Sequence, residues 1–396
     1  MSGGTLGLYV HVPYCTVRCS YCDFYLIPTH GRAVGPGRAP EAYIAALRGE
    51  IETIGTPLRG RAADTLHFGG GTPSLLPSHL LGQVIEALRA AFSLQSGSEI
   101  ALEANPEDVD PPRLEALARL GVTRLTVGVQ SLDDRRLGLL GRPHDASRAL
   151  AALAAARAAG PRSLGADLIL GLPGQEIPEA LDGIRRVVDA GVDHLSLYIL
   201  ELHDRTRLGR EAALGRLAPM ADDAVAALYE AACDLLSECG FEHYEISNFA
   251  RPGHRSRHNI KYWSDAEYVG FGPSAHSYLS GRRYANASDL DAYIARRGIG
   301  IDRIDDPQPP AGRAAEALFA GLRLTEGVDL EALGRRYGPG PPATAGLGLP
   351  QADGPEIGEL LAAGLLERRG ERLCLTRRGR LVSNEVFERL LPAGLS

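Results

Sequence analysis

Apolar residues along this chain recur in two rhythms that follow one another. Short runs, continuous or alternating, read as strands: LGLYVHV (6–12), DTLHFGG (64–70), EIALEAN (99–105), TRLTVGVQ (123–130), SLGADLILGLP (163–173) and HLSLYIL (194–200). Each is followed by a stretch with apolar positions three and four apart, often closed by glycine. These stretches are residues 39–54, SHLLGQVIEALRAAF, PPRLEALARLG, DDRRLGLL, IPEALDGIRRVVDAG and residues 222–239. Six βα units in succession predict an α/β fold with a parallel sheet, and their regular alternation suits a partial (β/α)6 barrel better than a doubly wound sheet. In both, ligands gather beyond the C-terminal ends of the strands. The unusual residues stand there. Cys15 follows the first strand, Gly69 to Pro73 the second, Glu103 and Asn105 close the third, Gln130 closes the fourth, and Asp167 lies in the fifth.

The alternation stops near residue 245, so residues 1–245 form the expected core. A connecting segment, 246–310, carries YEISNFARPGHRSRHNIKYW and the glycine-rich GFGPSAHSY, and ends in the linker-like DDPQPPAG. Residues 311–396 read as a small α/β module: a helix near 313–323, a Gly/Pro-rich loop at 338–355, then helix, hairpin and helix in a winged-helix-like order. A packing module is the ordinary reading of such a tail when the chain is acidic. The net charge of -7 offers nucleic acid no general attraction, and no nucleic-acid partner is expected.

No apolar run approaches the roughly 18 residues of a membrane span, and no basic segment precedes a long apolar one at the N-terminus. A cytoplasmic location is the default. Only Lys261 among 42 basic residues is lysine, a bias that carries no function.

Three of six cysteines fall in CTVRCSYCDFY, spaced C-x3-C-x2-C. Structural zinc asks for four protein ligands, and the nearby His11 and His30 lack finger-like spacing. A 4Fe-4S cube held by Cys15, Cys19 and Cys22 would instead keep one iron free for a further ligand. The remaining Cys233, Cys239 and Cys374 are scattered and read as ordinary packed thiols, with no disulfide framework.

With its position after the first strand of a βα barrel, this motif resembles the radical S-adenosylmethionine (SAM) enzymes, whose open iron is chelated by SAM. The likeness extends over nearly the whole chain. YVHVPYC, HFGGGTPS, GVQS, GRPH, DLILGLPGQ and YEISNFARPGHRSRHNIKYW resemble the coproporphyrinogen dehydrogenase branch of that superfamily. The resemblance implies a radical SAM barrel whose SAM pocket is lined by Tyr9, Gly70, Gly71, Thr72, Glu103, Gln130, Arg142 and Asp167, with Tyr21 nearby.

That branch holds two groups. The oxygen-independent coproporphyrinogen III oxidases carry a further cysteine two positions after the third, where this chain has Phe24, and an N-terminal arm, where only eight residues precede Tyr9. Both departures count against oxidase activity. The haem chaperones of the HemW type match instead, and their HNxxYW motif is met by residues 258 to 263. The resemblance implies haem as cargo, passed to respiratory proteins with transient membrane-protein contact, by a monomer or dimer. His258 becomes the candidate haem ligand, with His254, His276 and Cys374 as alternatives.

Overall fold

The computed structural model describes residues 4–32, 35–300, 302–306, 308–338, 350–351 and 353–391. Most of the expected loop at 338–355 lies outside them. Six strands match the six runs expected: β1 (Leu6–Val12), β2 (Ala62–Gly70), β3 (Ser93–Ala104), β4 (Arg124–Gln130), β5 (Ser163–Leu170) and β6 (His194–Ile199). Between them run helices α1 (Pro40–Gly55), α2 (Ser78–Ala91), α3 (Pro111–Leu120), α4 (Asp134–Leu140), α5 (Ala146–Ala159) and α6 (Ile177–Asp189). Local chemistry sets their ends. Asp110, Asp133 and Asp145 each accept a backbone N–H in the first turn, and Gly121, Gly141 and Gly160 take the left-handed conformation at the close.

Beyond the core come α7 (Arg207–Ala213), α8 (Asp222–Glu238), β7 (Glu242–Glu245), β8 (Asn248–Ala250), α9 (Arg257–Trp263), β9 (Tyr268–Phe271), β10 (His276–Leu279), β11 (Arg282–Asn286), α10 (Leu290–Ala295) and β12 (Arg303–Asp306). All twelve strands share one sheet, ordered β12-β11-β10-β9-β1-β2-β3-β4-β5-β6-β8-β7.

Strands β1 to β6 stand side by side in chain order, all parallel. The order never reverses, so right-handed crossovers place the intervening helices on one face and leave the other as an interior. This is the partial (β/α)6 barrel, not a doubly wound sheet. Strands β7 to β12 are not among the runs expected from the sequence, and one of them, β9, pairs parallel with the free side of β1. Antiparallel strands continue beyond β9 and β6, and no ladder among the described residues closes the ring.

The outward residues, such as Leu8, Val10, Leu66, Phe68 and Val127, pack against the helices in the main core. Facing inward are polar and aromatic residues: Tyr9, His11, Thr65, His67, Glu99, Glu103, Arg124, Asp167 and His194. A separate core, including Leu318, Leu322, Ile357, Leu360, Leu373 and Val386, organises the C-terminal part. There, helices at 310–323, 330–337 and 355–362 precede the hairpin 366–369 and 372–375, which the strand Val328–Asp329 completes. That is the winged-helix-like arrangement expected.

Candidate functional site

The cysteine loop leaves β1 at Val12 and turns across the ends of the neighbouring strands. Its path is fixed by backbone hydrogen bonds: Gly71 N to Val12 O (2.8 Å), Thr72 N to Tyr14 O (2.7 Å) and Ser20 N to Leu140 O (2.9 Å). The glycines after β2 permit this. A Cβ on Gly70 would lie 2.6 Å from the His11 ring and one on Gly71 2.6 Å from Tyr14 O. The missing side chains therefore admit the cysteine loop as well as a ligand.

Cys15, Cys19 and Cys22 face one cavity of about 470 Å3. An arc of hydrogen bonds links the first two. Cys15 Sγ lies 3.2 Å from Thr72 Oγ1, which accepts from Asn105 Nδ2 at 3.2 Å; Asn105 Oδ1 accepts from Arg142 Nη2 at 2.6 Å, and Arg142 Nη1 donates to Cys19 Sγ at 3.4 Å. Burial pushes the Cys15 thiol up to about 12 and raises Cys22 as well. Burial alone would lower Arg142, but Tyr21, Cys19 and Glu107 around it raise it further, so its charge stays beside Cys19. The set suits an anionic thiolate centre with a fixed counter-charge.

Among the described residues no three His, Cys, Asp or Glu side chains converge tightly enough to cage a lone metal ion. Three thiols spread around so wide a cavity fit a cube of iron and sulfide better than a single zinc.

The opposite wall comes from the other strand ends. Glu103 holds His67 Nε2 at 3.0 Å while its side chain stays 40% exposed toward the cavity. Gln130 closes β4 with φ of 65°, a left-handed conformation that costs a residue with a side chain and clusters at functional sites. Asp167 is pushed up to about 7, chiefly by burial, against a hydrogen bond from Ser196. The structure thus brings Cys15, Cys19, Cys22, Tyr21, Gly70, Gly71, Thr72, Glu103, Gln130, Arg142 and Asp167 to the wall of one cavity. Asn105 joins them, as do Tyr198 near the end of β6 and Leu200 and His203 beyond it. The rule that ligands sit at strand ends, applied to the sixth strand, would have found these last three.

Tyr9 and His258 stand apart from that wall. Tyr9 lies one layer deeper, its hydroxyl 3.2 Å from His11 Nδ1 and its ring stacked on His67 at 6.0 Å. His258 is at the other end of the barrel. Helix α9 closes the N-terminal ends of the strands: Arg257 pairs with Asp64 (2.9 Å), Lys261 Nζ donates to Thr5 O (2.7 Å), and Glu99 Oε1 accepts from His258 N (3.1 Å). A buried Arg124 pairs with Glu99 at 3.0 Å and donates to His254 O and Arg255 O.

From this plug the His258 ring points into the barrel, fully buried. Its Nδ1 meets Thr65 Oγ1 at 2.8 Å and its Nε2 meets the Tyr262 hydroxyl at 2.8 Å. The ring stacks on His67 with centroids 5.2 Å apart. Burial first, then His67 and Lys261, hold its pKa well below the usual imidazole range. Gly7 makes the room, since a Cβ there would lie 2.9 Å from Lys261 Cδ and 3.2 Å from His258 Cε1. Both ring nitrogens are thus engaged by protein. Of the other ligands considered, Cys374 is buried in the C-terminal sheet and His254 is half-buried beside Asp193. His276 is exposed at the start of β10.

Comparison with known proteins agrees with this geometry. The model of the Radical SAM superfamily matches residues 9–182, and that of the HemN C-terminal domain matches residues 308–382. The chain is 36% identical over 394 residues to the heme chaperone HemW of Mycobacterium tuberculosis H37Rv, covering 99% of this chain and 96% of that one. To the heme chaperone HemW of Bacillus subtilis strain 168 it is 32% identical over 385 residues, covering 96% and 97%. The structure of coproporphyrinogen III oxidase (HemN) from Escherichia coli superposes with a TM-score of 0.81 at 22% identity, over 98% of this chain and 90% of that one. That last likeness shows a shared fold.

Proposed function

The chain belongs to the haem chaperone HemW family, within the radical SAM superfamily, and from that premise we propose that it binds haem and passes it to haem-requiring respiratory proteins from the cytoplasm. Its cofactors are a 4Fe-4S cluster and SAM. In this reading Cys15, Cys19 and Cys22 hold three irons, and Arg142 and Thr72 meet the thiolates. Glu103, Gln130 and Asp167 are placed to accept or donate hydrogen bonds to the nucleotide. The cluster, when bound, supplies the electron that SAM chemistry requires. Around it the chain's own residues orient the nucleotide and keep a positive charge beside Cys19.

The observation that carries the chaperone reading over the oxidase is Phe24. It lines the same cavity two residues after Cys22, is 65% exposed, and offers no sulfur or proton where the oxidases carry their further cysteine. Among the described residues the remaining thiols lie elsewhere, Cys233 in α8, Cys239 at its end and Cys374 in the C-terminal sheet. No helix of the described residues is long and apolar enough to cross a membrane, so contact with membrane-bound haem acceptors would be made from outside the bilayer.

The test is anaerobic. The cluster is reconstituted, then one sample receives coproporphyrinogen III with SAM and a reductant, and another receives haem. Stoichiometric haem binding without decarboxylation is expected. Turnover to protoporphyrinogen would replace this reading with that of an oxidase.

A further inference from the structure

We propose that haem docks at the mouth of the cluster cavity, where His203 supplies an axial ligand and Phe24 an apolar face for the porphyrin. This rests on the haem-carrying reading above and names its site. An axial ligand must present a ring nitrogen that iron can reach, with flat apolar surface beside it. Of the eleven histidines, His11, His144, His194 and His258 are buried, and His67, His243 and His254 are half-buried outside the cavity wall. His79 sits on the exposed side of α2, while His30 and His276 are exposed outside the cavity wall. His203 alone lines that wall, with its side chain 43% exposed.

Its surroundings fit the task. Nε2 lies 3.3 Å from Glu201 Oε2 and 3.8 Å from Asp23 Oδ2, so carboxylates orient one side of the ring and leave the other nitrogen for iron. A carboxylate behind a ligating imidazole fixes its tautomer and strengthens it as a donor. Asp23 also accepts from Arg205 Nε at 3.1 Å, which ties this turn to the cysteine loop. The next residue is Phe24, whose exposed ring costs solvation that a porphyrin face would relieve. Leu200 and Ile199 continue the apolar wall. Exposed guanidiniums for the propionates stand on both sides, Arg205 and Arg207 on the His203 turn and Arg18 on the cysteine loop. Arg18 is itself braced by bonds to Phe24 O and Leu26 O, at 3.1 and 2.9 Å. Haem so placed would cover the cavity that the cysteines face.

The experiment is a titration of the reconstituted protein with haemin under anaerobic conditions, followed by the Soret band and by EPR of the ferric haem. His203→Ala is expected to weaken binding about tenfold or more and to change the axial-ligand signature. His203→Met should keep haem but shift the Soret position, and Phe24→Ser should weaken binding while leaving the iron-sulfur absorbance intact. Unaltered affinity and spectrum in His203→Ala, with the original protein binding haem, would overturn this site alone. Failure of the original protein to bind haem at all would overturn the carrier reading, and this site with it.

Discussion

At the C-terminal end of the barrel, the thiols of Cys15, Cys19 and Cys22, the Glu103 carboxylate and Asp167 face a cavity of about 470 Å3. At the N-terminal end, Arg257, His258 and Lys261 finish on Asp64, Thr65, Tyr262 and Thr5. Both ends carry motifs rich in groups that bind ligands. The difference lies in what completes each group. Where polar atoms are satisfied by the protein, they specify packing; where they are gathered and left short of partners, they wait for a ligand. On that criterion the cysteine loop is a site, and His258 with Lys261 beside it, in this conformation, is a plug.

The comparison breaks first at the open end. Cys19→Ala removes one of three cluster ligands and should abolish the absorbance of the reconstituted cluster while the fold survives, because Cys19 is only half-buried. A full cluster in that variant would show that Cys19 does not hold it. At the closed end the expectation is reversed. His258→Ala leaves Thr65 and Tyr262 without a shared partner and opens a void between Gly7 and His67, a loss of about 4 kcal/mol in stability. Denaturant titration reads it, and the surviving folded protein should still load its cluster. If His258→Ala were as stable as the original protein yet lost haem, the plug would be a ligand site after all.

A third region sharpens the contrast by pH. Glu50 of α1 is buried and accepts from Tyr293 Oη (2.6 Å), Gly272 N (2.8 Å) and Asn286 Nδ2 (2.7 Å), tying α1 to the β9 side of the sheet. Burial outweighs these bonds and pushes its carboxyl from the usual 4.5 up to about 7. Between those values the folded chain keeps a proton that the unfolded chain has lost. Stability should therefore fall as pH rises through that window, by about 3 kcal/mol in all, and level off above it. Denaturation measured from pH 4.5 to 8 should show a steeper slope in the original protein than in Glu50→Gln, where the likewise raised Asp167 and Asp108 still contribute. An identical slope in both would assign it to other groups.

What the sequence made legible was local. Three thiols within eight residues announce themselves, and the caps at Asp110, Asp133 and Asp145 mark helix starts within three residues of the N–H groups they satisfy. Strand β9 was missed because four residues, Tyr268–Phe271, carry too little periodicity, and its place beside β1 depends on residues more than 250 positions earlier. The closed state of His258 was hidden for the same reason. It depends on Thr65, 193 residues away, and on the absence of a side chain at Gly7. Arg142 could be guessed from its motif, but its contact with Cys19 spans 123 residues. Composition and spacing reveal which residues are chemically able; which of them are left unsatisfied is decided by contacts that only the fold makes.

The smallest expected effect asks whether the closed end is also the end that holds the C-terminal module. Arg323, at the end of the helix 310–323, lies 4.3 Å over the Trp263 ring and 3.7 Å from the buried Glu245 Oε2. The same junction is sealed by Ile246 N donating to Arg323 O and Thr325 N to Tyr244 O. Trp263, the last residue of the HNxxYW segment, thus faces the module while His258 faces the barrel. Burial raises the Glu245 carboxyl and Arg323 opposes that, so the pair is coupled. Arg323→Met keeps the length of the side chain but removes the charge, and should cost about 1 kcal/mol, with cluster loading unchanged. Adding Glu245→Gln should cost less in that background than alone, because the charge it removes is already uncompensated. Additive losses in the double-mutant cycle would mean that the backbone bonds alone hold the module, and that the plug closes the barrel without also anchoring its neighbour.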